Sequence, residues 1–156
     1  MAIRPYQPGD EANIIALNDT VLKEFGMAFD KILDRDILDI PQYYTKRNGQ
    51  YFVLVDDSQG GELIVGSIAV SKISNKVCKL RHFYILNEYR KRGFGKQLYE
   101  KAVGFIRAAG YNEIWLSTAR QFEDAIRFYE HAGFQRSLKP LWHYRRAGIF
   151  YILKLV

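Results

Sequence analysis

One cysteine in 156 residues, Cys78, has nothing to pair with, so an intramolecular disulfide is excluded and a reducing compartment fits. Val77 and Leu80 flank it in a strand-like run, which reads as a buried, inert thiol rather than a nucleophile. No apolar run approaches membrane-spanning length, and residues 1–10 carry no apolar core of the secretory type, so a cytoplasmic location without a membrane partner is expected. No Gly-Lys-Ser/Thr occurs, which excludes a Walker-type phosphate loop. Repeats, low-complexity stretches and linkers are also missing. Residues 1–156 therefore read as one domain, long enough to bury a core.

The chain is rich in rings, with eleven Tyr and ten Phe, enough to fill a core and to line a cleft for a small molecule or an acyl group. Its net charge of +6 favours an anionic partner. On charge alone, nucleic acid, an acidic surface and a polyphosphate cofactor all fit. The cations are not one long run: the densest cluster spans Arg90, Lys91, Arg92 and Lys96, and a pair follows at Arg145 and Arg146.

Hydrophobic periodicity gives the element order. A short strand over 3–6 ends at Pro8-Gly9. Asp10 is placed to cap a helix over 11–25, whose apolar stripe is Ile14, Ile15, Leu17, Val21 and Leu22. Gly26 and Pro41 bound a second helical region within 27–46. Strands over 51–55 and 63–70 form a hairpin, and a longer strand covers 77–86. Leu98, Ala102, Phe105, Ile106 and Ala109 mark the next helix, closed by Gly110. A short strand over 114–116 precedes a helix carrying Phe122, Ala125, Ile126, Tyr129 and Ala132, ended by Gly133. Strands over 134–138 and 149–155 flank a loop containing Pro140. The order predicts a mixed α/β sheet flanked by helices.

Two segments carry chemistry. In the first, the strand ending near Leu86 runs through Arg90-Lys91-Arg92-Gly93-Phe94-Gly95-Lys96 into a helix, a turn able to cradle phosphates on backbone N–H groups. A dinucleotide-binding turn would want a third glycine where Lys96 stands. The second segment is Ala125-x-x-x-Tyr129-x-x-x-Gly133-Phe134.

Together these segments resemble the GNAT superfamily, the general-control-type N-acetyltransferases, in a single-domain bacterial type. Arg90-x-x-Gly93-x-Gly95 matches its pyrophosphate loop, and the second segment matches its other acyl-CoA motif. The likeness implies a mostly antiparallel central sheet with one splayed pair of strands. It also implies acetyl-CoA as cosubstrate, no metal, and transfer of acetyl to a primary amine by direct attack. By the same resemblance, Phe83, Tyr84 and Ile85 pair with the pantetheine arm, a backbone N–H near Phe83 steadies the oxyanion, and Tyr129 is the general acid. A homodimer is expected from the last two strands, and nucleic acid is not expected as a partner.

The general base is open. Where some family members place Glu or His, this chain has Lys79 and Arg81. His82 is expected to face away from Arg81 by strand alternation, packed or exposed. Glu24 is the candidate base, against the alternative of a solvated helix carboxylate. Arg81 reads either as a holder of a substrate carboxylate or as half of a salt bridge. Phe122 stands where many relatives have Asn, so that contact is either absent or supplied by Ser117 or Thr118. A CoA-binding domain without catalysis is the alternative function.

Overall fold

The computed structural model describes residues 1–138 and 148–156. The loop expected around Pro140 and the Arg145–Arg146 pair lie outside the described residues. Among the described residues seven strands, β1 (Ala2–Pro5), β2 (Gln50–Asp56), β3 (Leu63–Lys72), β4 (Val77–Ile85), β5 (Glu113–Thr118), β6 (Gln135–Ser137) and β7 (Ile149–Lys154), form one sheet in the order β1-β2-β3-β4-β5-β7-β6. Every neighbouring pair is antiparallel except β4 and β5. Parallel neighbours need a long crossover, and α3 (Phe94–Ala108) supplies it.

The sheet is covered on both faces, which explains why β2 is apolar at successive positions. Phe52 and Leu54 join the cluster under α3 with Leu98, Ala102 and Ile106. Tyr51, Val53 and Val55 face the other way, onto Ile14, Leu17 and Val21 of α1 (Glu11–Glu24) and Ile40 of α2 (Ile40–Tyr43). α4 (Glu123–His131) buries Tyr129 against the α3 side.

Three local expectations change. Asp10 precedes α1 but does not cap it: its carboxylate takes Arg4 at 2.8 and 3.0 Å and the Gln7 N–H at 2.8 Å. The stretch 27–46 is not one helix. Asp30 accepts from the N–H groups of Ile32 and Leu33, and Asp34 accepts from that of Asp30, side-chain bonds that compete with helical ones. A 3₁₀ turn, Arg35–Asp39, and α2 follow, and Pro41 sits in the first turn of α2, where no N–H is needed, rather than ending a helix. The strand expected over 134–138 shortens to β6, whose three residues are all exposed.

Candidate active site

β4 and β5 pair only at Val77–Glu113, Cys78–Ile114 and Lys79–Trp115. Past Lys79 they part, while β4 continues along β3 to Ile85. The wedge between them is lined by Phe83, Tyr84, Ser117, Phe122, Ala125 and Tyr129.

A β-bulge sets which backbone groups face this wedge. Arg81 stands opposite Ala69 and Tyr84 opposite Ser67, so His82 and Phe83 together oppose Ile68 alone. Below the bulge the odd residues of β4 bond to β3, as shown by Ile73 N–H donating to the Val77 carbonyl at 2.9 Å. Above it the even residues do, since Leu86 N–H donates to the Val65 carbonyl at 2.9 Å and the same register reaches Tyr84. The extra residue thus inverts the phase. The main-chain groups of Phe83 and Ile85 turn toward the wedge, and those of Tyr84 turn to β3.

The same inversion moves side chains. His82 does not face away from Arg81; both reach Asp36, His82 Nε2 at 2.6 Å and the Arg81 guanidinium at 3.6 Å. Simple alternation fails here because His82 adopts φ = 50°. Its Nδ1 lies 3.1 Å from Asn18 Oδ1, and its carbonyl accepts from Ser67 Oγ at 2.6 Å. Tyr44 OH also donates to Asp36. Burial alone would raise the Asp36 carboxyl, but the charge and hydrogen bond of His82, then Arg81 and Tyr44, hold it well below the usual carboxylate range. Neither Asn18 nor Asp36 stood out in the sequence. Asn18 did leave a trace, as a polar residue on the buried stripe one turn after Ile14.

The glycine turn follows β4. Lys91 (φ = 59°) and Gly93 (φ = 85°) adopt left-handed backbone, a sequence of conformations that turns successive N–H groups inward. Between residues 91 and 96 no N–H donates to a backbone carbonyl among the described residues; the first to do so is that of Gln97, onto Gly93 at 3.2 Å. At Gly95 a Cβ would meet Ile85 and Phe83 only at ordinary contact distances, 3.6 and 3.9 Å, so nothing in the chain itself demands glycine there. Arg90 is held twice, by its Nε on the Ile85 carbonyl and by its Nη1 on Glu24, each at 2.8 Å. The Glu24 carboxylate is therefore engaged with the turn. Lys91, Arg92 and Lys96 ring the same turn, and Arg92 stacks over Tyr89 and Phe94.

Tyr129 is 7% exposed and walled by the rings of Phe83, Phe128, Phe134 and Tyr151. Burial pushes its phenol up, helped by Tyr84 and Tyr99, so it carries its proton at neutral pH. Phe122 packs on Phe25 with ring centroids 4.4 Å apart. Ser117 Oγ, where β4 and β5 diverge, is buried without a hydrogen-bond partner among the described residues. Burial, then Arg81, brings the Lys79 amine down to about 7. Among the described residues no cluster of three His, Cys, Asp or Glu could hold a metal ion, and no helix is long and apolar enough to cross a membrane.

Comparison with known proteins gives the same picture. The chain is 31% identical over 110 residues to N-acetyltransferase family 8 member 3 of Rattus norvegicus, a match covering 67% of this chain. It spans about half the length of the mammalian relatives it matches, 47% of the rat protein. Its fold overlays an acetyltransferase of Streptococcus agalactiae with a TM-score of 0.89 at 27% identity, covering 99% of this chain and 98% of that one. It also shares the fold of the PaiA N-acetyltransferase of Thermoplasma acidophilum in complex with coenzyme A, at a TM-score of 0.73, 19% identity and 99% coverage of both chains. The model of the acetyltransferase (GNAT) family matches residues 15–134, a stretch that holds the parted strands, the glycine turn and Tyr129 alike, and on that match the chain belongs to the GNAT family.

Proposed function

We propose that the protein is an acyl-CoA-dependent N-acyltransferase that moves acetyl from acetyl-CoA to a primary amine. The observation that carries this reading is the junction of two backbone arrays: the wedge-facing groups of Phe83 and Ile85, of which the Ile85 carbonyl takes Arg90 Nε, and the N–H groups of 91–96 at the start of α3, none of which donates to a backbone carbonyl among the described residues. The first suits a peptide-like arm laid beside a strand, and the second suits a diphosphate. The orphaned Ser117 Oγ adds a polar contact at the narrow end of the wedge.

In this reading the amine attacks the thioester carbonyl, forming the C–N bond as charge moves onto oxygen. The Phe83 N–H receives that charge. The C–S bond then breaks, and Tyr129 donates its proton to the departing thiolate. Glu24 is the carboxylate candidate for taking the proton of the amine, a role that requires its pair with Arg90 to open. Positioning supplies much of the rate.

A reading without catalysis has one observation in its favour: Arg81, a guanidinium directed at Asp36, stands on the strand where a base would serve. Titration calorimetry with acetyl-CoA and a thiol-release assay across an amine panel separate the two. Binding with release supports the transferase, and binding without release supports the sensing domain. No heat at millimolar acetyl-CoA refutes both.

A further inference from the structure

We propose that His82 is a positioning residue, clamped by Asn18, Asp36 and Ser67 so that the bulge of β4 keeps the Phe83 N–H turned into the wedge. The inference rests on the transferase reading and adds to it the device that aims the carbonyl-polarising donor.

Left-handed backbone is costly for a residue with a Cβ, and histidine at φ = 50° persists only if its surroundings impose it. Three elements do so here. From α1, Asn18 fixes the ring through Nδ1 at 3.1 Å, and its own amide is fixed because Nδ2 donates to the Ile14 carbonyl at 2.8 Å. This orientation presents oxygen, not nitrogen, to the ring. From the 3₁₀ turn, Asp36 takes Nε2 at 2.6 Å. From β3, Ser67 Oγ holds the His82 carbonyl at 2.6 Å. Both ring nitrogens therefore meet oxygen partners. The His82 side chain is only 6% exposed and both its nitrogens are taken, so it has no free atom to offer a reacting amine.

The consequence lies one residue further on. Were the bulge to relax into regular strand, the phase above it would revert, Tyr84 would face the wedge with its main chain, and Phe83 would face β3. The clamp thus acts on chemistry through geometry alone.

The test compares His82→Ala, His82→Gly and His82→Asn. All three lose the ring contacts, but Gly and Asn accept left-handed backbone and Ala does not. The probe is acetyl-CoA labelled with carbon-13 at the carbonyl, followed by difference infrared spectroscopy on the whole protein, with affinity measured by calorimetry. Wild type is expected to move the carbonyl stretch to lower wavenumber. His82→Ala should lose that shift with affinity nearly unchanged, whereas Gly and Asn should retain most of it. With an amine from the panel, kcat should be about tenfold lower for Ala than for Gly, with KM for acetyl-CoA similar. If Ala proves insoluble, Ser67→Ala, which frees the His82 carbonyl, should weaken the shift in the same direction. A wild-type shift retained in full by Ala, or lost equally in all three variants, overturns the proposal. Absence of any acetyl-CoA binding in wild type would instead refute the transferase reading.

Discussion

Asp36→Asn removes one charge from the interior while keeping the shape of the side chain. The carboxylate is almost fully buried and receives His82 Nε2, Tyr44 OH and, more distantly, Arg81. Asparagine leaves one acceptor oxygen for the two nearest donors and turns an NH₂ toward a third. Breaking a buried pair by removing one partner costs about 3–5 kcal/mol; since Asn keeps one acceptor, the lower end applies, about 3 kcal/mol. For a chain of this size that corresponds to a Tm lower by about 6–12 °C. The pH dependence carries its own sign. The Asp36 carboxyl lies well below its usual range in the folded state, so its contribution is complete above the unfolded value, about 3.9, and fades as pH falls beneath it. Urea unfolding of both proteins at pH 7, 5 and 3 should therefore show a gap that is constant from 7 to 5 and smaller at 3. A difference within about 0.5 kcal/mol at pH 7, the range of an ordinary surface change, would refute the reasoning, as would a gap equally wide at pH 3.

On the role proposed for its hydroxyl, protonation of the leaving thiolate, Tyr129→Phe should lower turnover about a hundredfold while acetyl-CoA still binds by calorimetry, because the ring packing survives. Gly93→Ala should leave the fold intact, since a Cβ there meets nothing within 4 Å, yet weaken coenzyme A binding about tenfold by charging the turn for its left-handed backbone. The Cys78 thiol, pushed up to about 12 by burial, should ignore a disulfide reagent at pH 8 in the native protein, with one equivalent reacting in guanidinium.

Much of the architecture was legible because it follows from local periodicity. The stripe on α1, the two faces of β2 and the run from β4 through the glycines into α3 each announce themselves within a dozen residues. The bulge at His82 did not. Its cause lies in Asn18 and Asp36, 64 and 46 positions away in sequence, and alternation says nothing about a residue held from such distances. The same holds for Glu24, whose partner Arg90 comes from another element. The stretch 27–46 misled for the opposite reason: its apolar spacing suits a helix, while the short carboxylates of Asp30 and Asp34 tie up the backbone locally. Tyr129 was recognisable by its motif, but the aromatic walls around it needed Phe83 from β4 and Tyr151 from β7 to join Phe128 of its own helix and Phe134 just beyond it.

The early separation of β4 from β5 makes the sheet two leaves on a short spine. One leaf holds β1 to β4, the other β5 to β7, and three residue pairs near Lys79 bind them directly. A guest lying between the leaves acts as a pin through both. Its arrival should stiffen the molecule as a whole, so that occupancy registers as slower amide exchange in β5 and β7 as well as in the strand it touches.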